Sequence, residues 1–304
     1  MAYLSRRSFL SSMLSVVPLH FAATKKPFRQ ENIMDKVGLH LGCIVDELIK
    51  RPQETLAFIH TAGIRHLELS DPALLKQLHP ILIGMGFQLH ATHFPSPYLT
   101  GNWQPFTAFG SAKPSNIKDF KELVNEAVKY EIPYLVFPNI FPQDRGDLEW
   151  YKNFASQLNE GGEICKNMGV QLCYHNHSFE FQPTENTSPI EVMLNVLNPE
   201  LVQLELDIFW CGIADINIED FISKYDNYIS LLHLGDISDD TAQIYRAVSL
   251  PQKTFKAIGE GKINFDSILK VEALSDVPYY FLNLQQSDDI FKDISNSIDY
   301  LERL

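Results

Sequence analysis

The chain has 304 residues, 45% of them hydrophobic and 21% charged, which suits one α/β domain with a sizeable core. Its formal net charge of −13 argues against a nucleic-acid partner, whose backbone demands a basic face. The four cysteines, Cys43, Cys165, Cys173 and Cys211, follow neither a disulfide framework nor a zinc-knuckle spacing and are expected as buried free thiols.

The N-terminus reads Ser5-Arg6-Arg7-Ser8-Phe9-Leu10 and then runs apolar to about Ala23. Paired arginines before such a stretch resemble a twin-arginine export signal, with an ordinary secretory signal as the alternative. Serines and Pro18 interrupt the run, which is too short for a spanning helix. Residues 1–24 are therefore expected to direct the chain to the periplasm, leaving no membrane span after processing. Residues 25–36 read as a polar linker and 37–304 as the folded domain.

The spacing then predicts a strand over 37–42, a helix over 46–62, and a strand over 64–70. Asp71-Pro72 opens the next helix, with proline at a tolerated first-turn position. The third strand is expected over 87–93. A long loop over 94–115, rich in proline, glycine and aromatic residues, reads as an ordered lid. Helix 116–129, strand 134–138 and the long amphipathic helix 147–168 follow, the last closed by Gly169. The fifth strand spans 170–177, and Ser188-Pro189 reads as a cap and first turn. Strands over 201–207, 228–233 and 279–285 and a helix over 290–301 complete the count. Eight strands, each followed by a helix-length segment, fit a single closed (β/α)8 TIM barrel. An open doubly wound sheet is disfavoured, since no Gly-x-Gly-x-x-Gly follows the first strand.

Side chains alternate faces along a strand. Gln171, Cys173, His175 and His177 thus share one face, as do Gln203, Glu205 and Asp207, His66, Glu68 and Ser70, and Asn283 and Gln285. Helices should cover the outside of a parallel barrel, so polar residues of one parity point to an interior site. His175, Asp207, His233 and Gln285 stand at the C-terminal ends of the last four strands, where barrel active sites lie. Two imidazoles, a carboxylate and an amide oxygen suit a divalent ion such as Mn2+, Co2+ or Zn2+.

The segments Gly38-Leu39-His40-Leu41, Tyr174-His175-Asn176-His177-Ser178-Phe179-Glu180-Phe181, Leu206-Asp207-Ile208-Phe209-Trp210, His233-Leu234-Gly235-Asp236 and Gly259-Glu260-Gly261 resemble the sugar phosphate isomerase/epimerase family. That is the xylose-isomerase-like barrel group, and the resemblance runs in order from about residue 37 to 304. It implies a carbohydrate substrate, metal ligands at His175, Asp207 and His233, and a substrate-facing His177. One departure stands out. Related epimerases use two metal-bound glutamates, from strands five and eight, as the acid–base pair. Here those positions hold His175 and Gln285, and an amide binds metal through oxygen but moves no proton at neutral pH.

A base must then come from elsewhere. His177 is the first candidate, its alternative being a substrate hydrogen bond. Glu68 is the second, its alternative a salt bridge with His66 inside the barrel. Glu260 is a third, unless its flanking glycines only make a turn. His93, Trp210 and Asp236 are expected to contact substrate, Asp236 by orienting a ligand and Trp210 by stacking on an apolar sugar face. The reading is a metal-dependent isomerase or epimerase acting on a free or oxidised sugar or a derivative, with a lyase or hydrolase of keto-glycosides as the alternative. A catalytically degenerate carbohydrate-binding barrel is the non-enzymatic alternative. An apurinic endonuclease is disfavoured by the acidic charge. The sequence leaves open an oligomer.

Overall fold

Hydrogen bonding between parallel strands returns to its starting point after eight strands. The structure, a computed structural model, describes residues 32–108, 117–245 and 250–304. The expected export signal and most of the expected linker lie outside those residues. The barrel strands are β1 (Val37–His40), β2 (His66–Leu69), β3 (Gln88–His93), β4 (Tyr134–Phe137), β5 (Gln171–His175), β6 (Val202–Asp207) and β7 (Ile229–Leu234), closed by a last strand at Tyr279–Leu282. Between β7 and that last strand the chain makes a small antiparallel pair, β8 (Asp236–Ile237) with β9 (Phe255–Lys256), so the closing strand is β10. Barrel order is β1-β10-β7-β6-β5-β4-β3-β2. The sequence pattern had given no sign of the β8–β9 pair, whose two-residue strands are too short to show a period.

The helical segments follow local chemistry. Asp119 caps Phe120–Lys129 by accepting from the Glu122 N–H at 2.9 Å, and Asp147 caps Leu148–Asn167 by accepting from Trp150 N–H at 2.9 Å. The helix expected over 46–62 is broken into Val45–Lys50 and Pro52–Thr61. Pro52 keeps the preceding residue out of the helical region, and Arg51 accordingly sits at φ −142°, ψ 63°. Ser188 precedes Pro189–Leu194 as expected but makes no side-chain cap hydrogen bond. The expected lid contains two short helices, Pro97–Thr100 and Trp103–Ala108, with Trp103 edge-on to Tyr98 at 5.1 Å. Its remainder lies largely outside the described residues. All four cysteines are free, three of them buried. Among the described residues, no helix is long and apolar enough to cross a membrane.

The barrel interior is layered by the two-residue period of its strands. Ala91, Val136, Cys173, Leu231 and Phe281 form a buried apolar plug, distinct from the larger core between strands and helices. Gly38 makes room for it: a Cβ there would lie 2.6 Å from the Phe281 ring and 2.7 Å from the His66 carbonyl. Two residues further along five of these strands come His40, His93, His175, His233 and Asn283. Glu68 and Glu205 join the same polar layer from β2 and β6, both fully buried. The plug is thus the floor of a polar chamber at the C-terminal end of the barrel.

Candidate active site

The chamber is built around His233, fully buried, whose two ring nitrogens face different sets of groups. On the outer side, His233 Nδ1 lies 3.2 Å from His175 Nε2 and 3.6 Å from Asp207 Oδ2. His175 Nε2 is in turn 3.2 Å from Asp207 Oδ2. The Asn283 amide nitrogen reaches both His233 Nδ1 (3.0 Å) and Asp207 Oδ2 (3.3 Å). On the inner side, His233 Nε2 pairs with Glu68 Oε2 and lies 3.3 Å from Glu205 Oε2. His40 Nδ1 meets Glu68 Oε2 at 2.8 Å, and His93 Nε2 meets Glu205 Oε2 at 2.9 Å.

Second-layer contacts fix the outer groups. Asp207 uses its other oxygen to accept from the Trp210 backbone N–H at 3.0 Å, and its own N–H donates to Asn176 Oδ1 at 2.9 Å. The Tyr-His-Asn-His-x-Phe-Glu-Phe segment is explained residue by residue. His175 points inward, and Asn176 buttresses Asp207. The Tyr174 hydroxyl donates to Glu180 Oε1 at 2.7 Å, and Glu180 Oε2 accepts from the His177 backbone N–H at 2.9 Å. Phe179 carries the Arg145 guanidinium 3.3 Å above its ring. His177 thereby sits at the mouth, its ring centroid 5.1 Å from His175 and 4.9 Å from Trp210. Neither His177 Nδ1 nor Trp210 Nε1, both buried, has a hydrogen-bond partner among the protein groups.

Burial and charge set the protonation states. Burial pushes the Asp207 carboxyl up, but the hydrogen bonds and charges of His175 and His233 outweigh it and hold Asp207 well below its usual range. Burial also drives Glu68 up, against the charges of His93 and His233, which win and keep it ionised. Glu205 is held well above the ordinary carboxyl value by burial and by the neighbouring Glu68 charge. His233 resists burial because Glu205 and Glu68 favour its proton. Burial, followed by the His175 charge, lowers His177 well below the ordinary imidazole value of 6.5, so its ring is neutral at neutral pH.

The structure brings together His175, Asp207, His233, His177, His93, Glu68 and Trp210 from the sequence expectations. Three others lie elsewhere. Gln285 is past the end of β10, where the strand parity stops: its N–H turns back to the Asn283 carbonyl at 3.2 Å. Immediately after β10 it is Asn283 that contacts Asp207 and His233, while Gln285 lines an adjoining cavity of about 530 Å3 with His40 and Cys43. Glu260 is exposed and accepts from Asn296 at 2.7 Å. Asp236 is committed to the backbone, its Oδ2 accepting from Gly259 and Gly261 and its Oδ1 from Ile237 and Ile263. A Cβ on Gly261 would lie 2.4 Å from Asp236 Oδ1, so the two glycines serve this turn. Glu68 pairs with His40, His93 and His233 rather than with His66, which contacts His90 at 2.9 Å. His40, Glu205 and Asn283 were not named as site residues, although Glu205 shares parity with Asp207 and Asn283 with Gln285.

Residues 56–279 match the sequence profile of the xylose isomerase-like TIM barrel. The chain belongs to that family. An inosose dehydratase of Bacillus cereus is 27% identical over 161 residues, covering 50% of this chain and 51% of that protein. The chain thus matches about half the length of such curated relatives. A sugar phosphate isomerase/epimerase of Parabacteroides distasonis has the same fold, with a TM-score of 0.71 at 21% identity over 88% of this chain and 98% of its own. The IOLI protein, solved with a bound zinc atom, superposes at a TM-score of 0.62 with 16% identity, over 88% of this chain and 95% of its own.

Proposed function

We propose that the chain is a divalent-cation-dependent enzyme that removes a proton beside the carbonyl of a sugar or sugar derivative. That step opens isomerisation, epimerisation and dehydration alike. The observation that carries the reading is the meeting of His175 Nε2, Asp207 Oδ2 and His233 Nδ1 within 3.6 Å of one another, beside a neutral His177 at the mouth.

The donor set fits a cation. Two imidazole nitrogens and a carboxylate held ionised suit Mn2+, Co2+ or Zn2+, and the Asn283 amide, whose nitrogen faces them here, would offer its oxygen on turning over. The zinc in a similarly folded barrel supports the same class of ion. Bound there, it would polarise the carbonyl and stabilise an enediolate. His177 is placed to take the proton, since burial keeps it neutral and Glu180 fixes its backbone. The Trp210 indole N–H is free to donate to a substrate hydroxyl, with its ring beside His177 for a sugar face to stack on.

A lyase outcome, in which the same deprotonation expels a neighbouring substituent, is favoured over two-base epimerisation by Asn283. At the β10 position facing the outer set the chain offers an amide, which cannot return a proton to the opposite face. The dehydratase relative points the same way. With Arg6-Arg7 as an export signal, the substrate would be met outside the cytoplasm as a free, oxidised or glycosylated sugar rather than a sugar phosphate.

The test is elemental analysis of protein purified without chelator, with a screen of such sugars for deuterium uptake. His233→Ala and Asp207→Ala are expected to lose the ion of the outer set; retention of a full complement in both overturns the assignment. His177→Ala is expected to keep the metal while exchange slows by about 10²–10⁴-fold.

A further inference from the structure

Beneath the outer set, the inner half of the chamber has more charge and more ligating atoms than a folded core requires. Glu68 and Glu205 are both 0% exposed. Each leaves one oxygen, Glu68 Oε1 and Glu205 Oε1, without a hydrogen-bond partner. The basic groups paired with these carboxylates among the described residues are all imidazoles: His40, His93 and His233. Buried carboxylate oxygens left without a partner are costly, and a cation held between the two carboxylates would satisfy both.

The ligand geometry shows what kind of cation. The ligating atoms of His40, Glu68, His93 and His233 all lie within 4.8 Å of one another. Glu205 Oε2 adds a fifth group, 2.9 Å from His93 Nε2 and 3.3 Å from His233 Nε2. A tetrahedral ion with bonds of about 2.1 Å separates its ligands by roughly 3.4 Å. The inner contacts run from 2.5 Å to 3.4 Å, so the ligands would spread by less than about 1 Å to take an ion.

We infer that His40, Glu68, His93 and Glu205, with the Nε2 edge of His233, form a second divalent-cation site beneath the first. His233 then bridges the two sites through its two nitrogens. Asp207, Glu68, Glu205 and a bridging imidazolate balance the charge of two divalent ions, with no lysine or arginine needed. Imidazole and carboxylate ligands select the Mn–Zn part of the first-row series rather than calcium or magnesium. Only the outer ion rests on the functional reading above; the inner site stands on its own ligands and on no substrate.

The experiment uses the full chain made in cobalt-supplemented medium and purified without chelator, read by elemental analysis and by visible Co2+ absorption. Wild type should hold two equivalents, the Glu68→Gln/Glu205→Gln double variant one, and Asp207→Ala one. The double variant keeps side-chain size, and circular dichroism establishes that it folds. One equivalent in wild type, retained in the double variant, overturns the inner site. One equivalent lost in the double variant but kept in Asp207→Ala supports the inner site and removes the outer one. If the double variant fails to fold, Asp207→Ala decides: one equivalent retained there supports the inner site and none overturns it.

Discussion

Glu180 shows how far one residue's environment departs from what its letter suggests. It is fully buried, clamped by the Tyr174 hydroxyl and the His177 N–H, and burial raises its pKa from the ordinary 4.5 to about 7. Between those pH values the unfolded chain has released this proton while the folded chain keeps it. Stability from this group is therefore fully present below pH 4.5 and is lost as pH rises to 7, by on the order of 3 kcal/mol. Glu180→Gln removes that loss, so its Tm relative to wild type should climb across this pH window; an offset that stays flat by calorimetry would contradict the burial account. His177 gives the converse signature in catalysis. Its pKa lies well below 6.5, so activity should persist through pH 6 and fall only at lower pH; a rate that halves at 6.5 would show an unperturbed imidazole. At this scale, parity turned His175 and Asp207 inward, and the C-terminal end of the seventh strand added His233. Parity failed at Gln285 because β10 ends at Leu282, and nothing in the letters marks that end. Parity does not reach Glu260 and Asp236, because a turn, not a strand, sets their directions.

At the scale of elements, His93, His175, His233 and Asn283 each stand two places after a residue that packs the barrel floor. Phe281 fills that floor directly beneath Asn283, and its ring lies 6.4 Å from His233. Phe281→Ala should cost about 3–5 kcal/mol, the range for deleting a buried aromatic, measured by denaturant unfolding. Helix Leu148–Asn167 depends on its cap in the same local way, and Asp147→Ala should cost about 1 kcal/mol. The strand and helix order was legible because periods of 2 and 3.6 dominate a buried parallel barrel. Element ends were less so. The break at Arg51 required weighing Pro52 against an otherwise helical pattern, and the β8–β9 pair is held by tertiary contacts around Asp236 that no local pattern encodes.

Across the whole molecule, the acidic chain concentrates three buried carboxylates, Glu68, Glu205 and Asp207, at one end of a closed barrel. If cations join the imidazoles in compensating them, as proposed above, metal content is coupled to folding. Metal bound at about 100 times its Kd adds roughly 2.7 kcal/mol, so stripping it should lower Tm by ~5–10 °C. The family and the closed barrel were legible from ordered motifs spread along the chain, whereas the inner ligand set was not, because it joins β1, β2, β3, β6 and β7 through barrel closure. The proposed function rests on deprotonation of a sugar at this chamber of imidazoles and carboxylates. It is tested most directly by following deuterium uptake from 2H2O into keto-sugars by proton NMR, with metal-loaded and chelator-stripped wild type side by side. The account predicts exchange at the carbon beside the carbonyl with loaded protein, lost on stripping and restored by adding the ion back. Equal exchange with and without metal, or none with any keto-sugar when fully loaded, would contradict it.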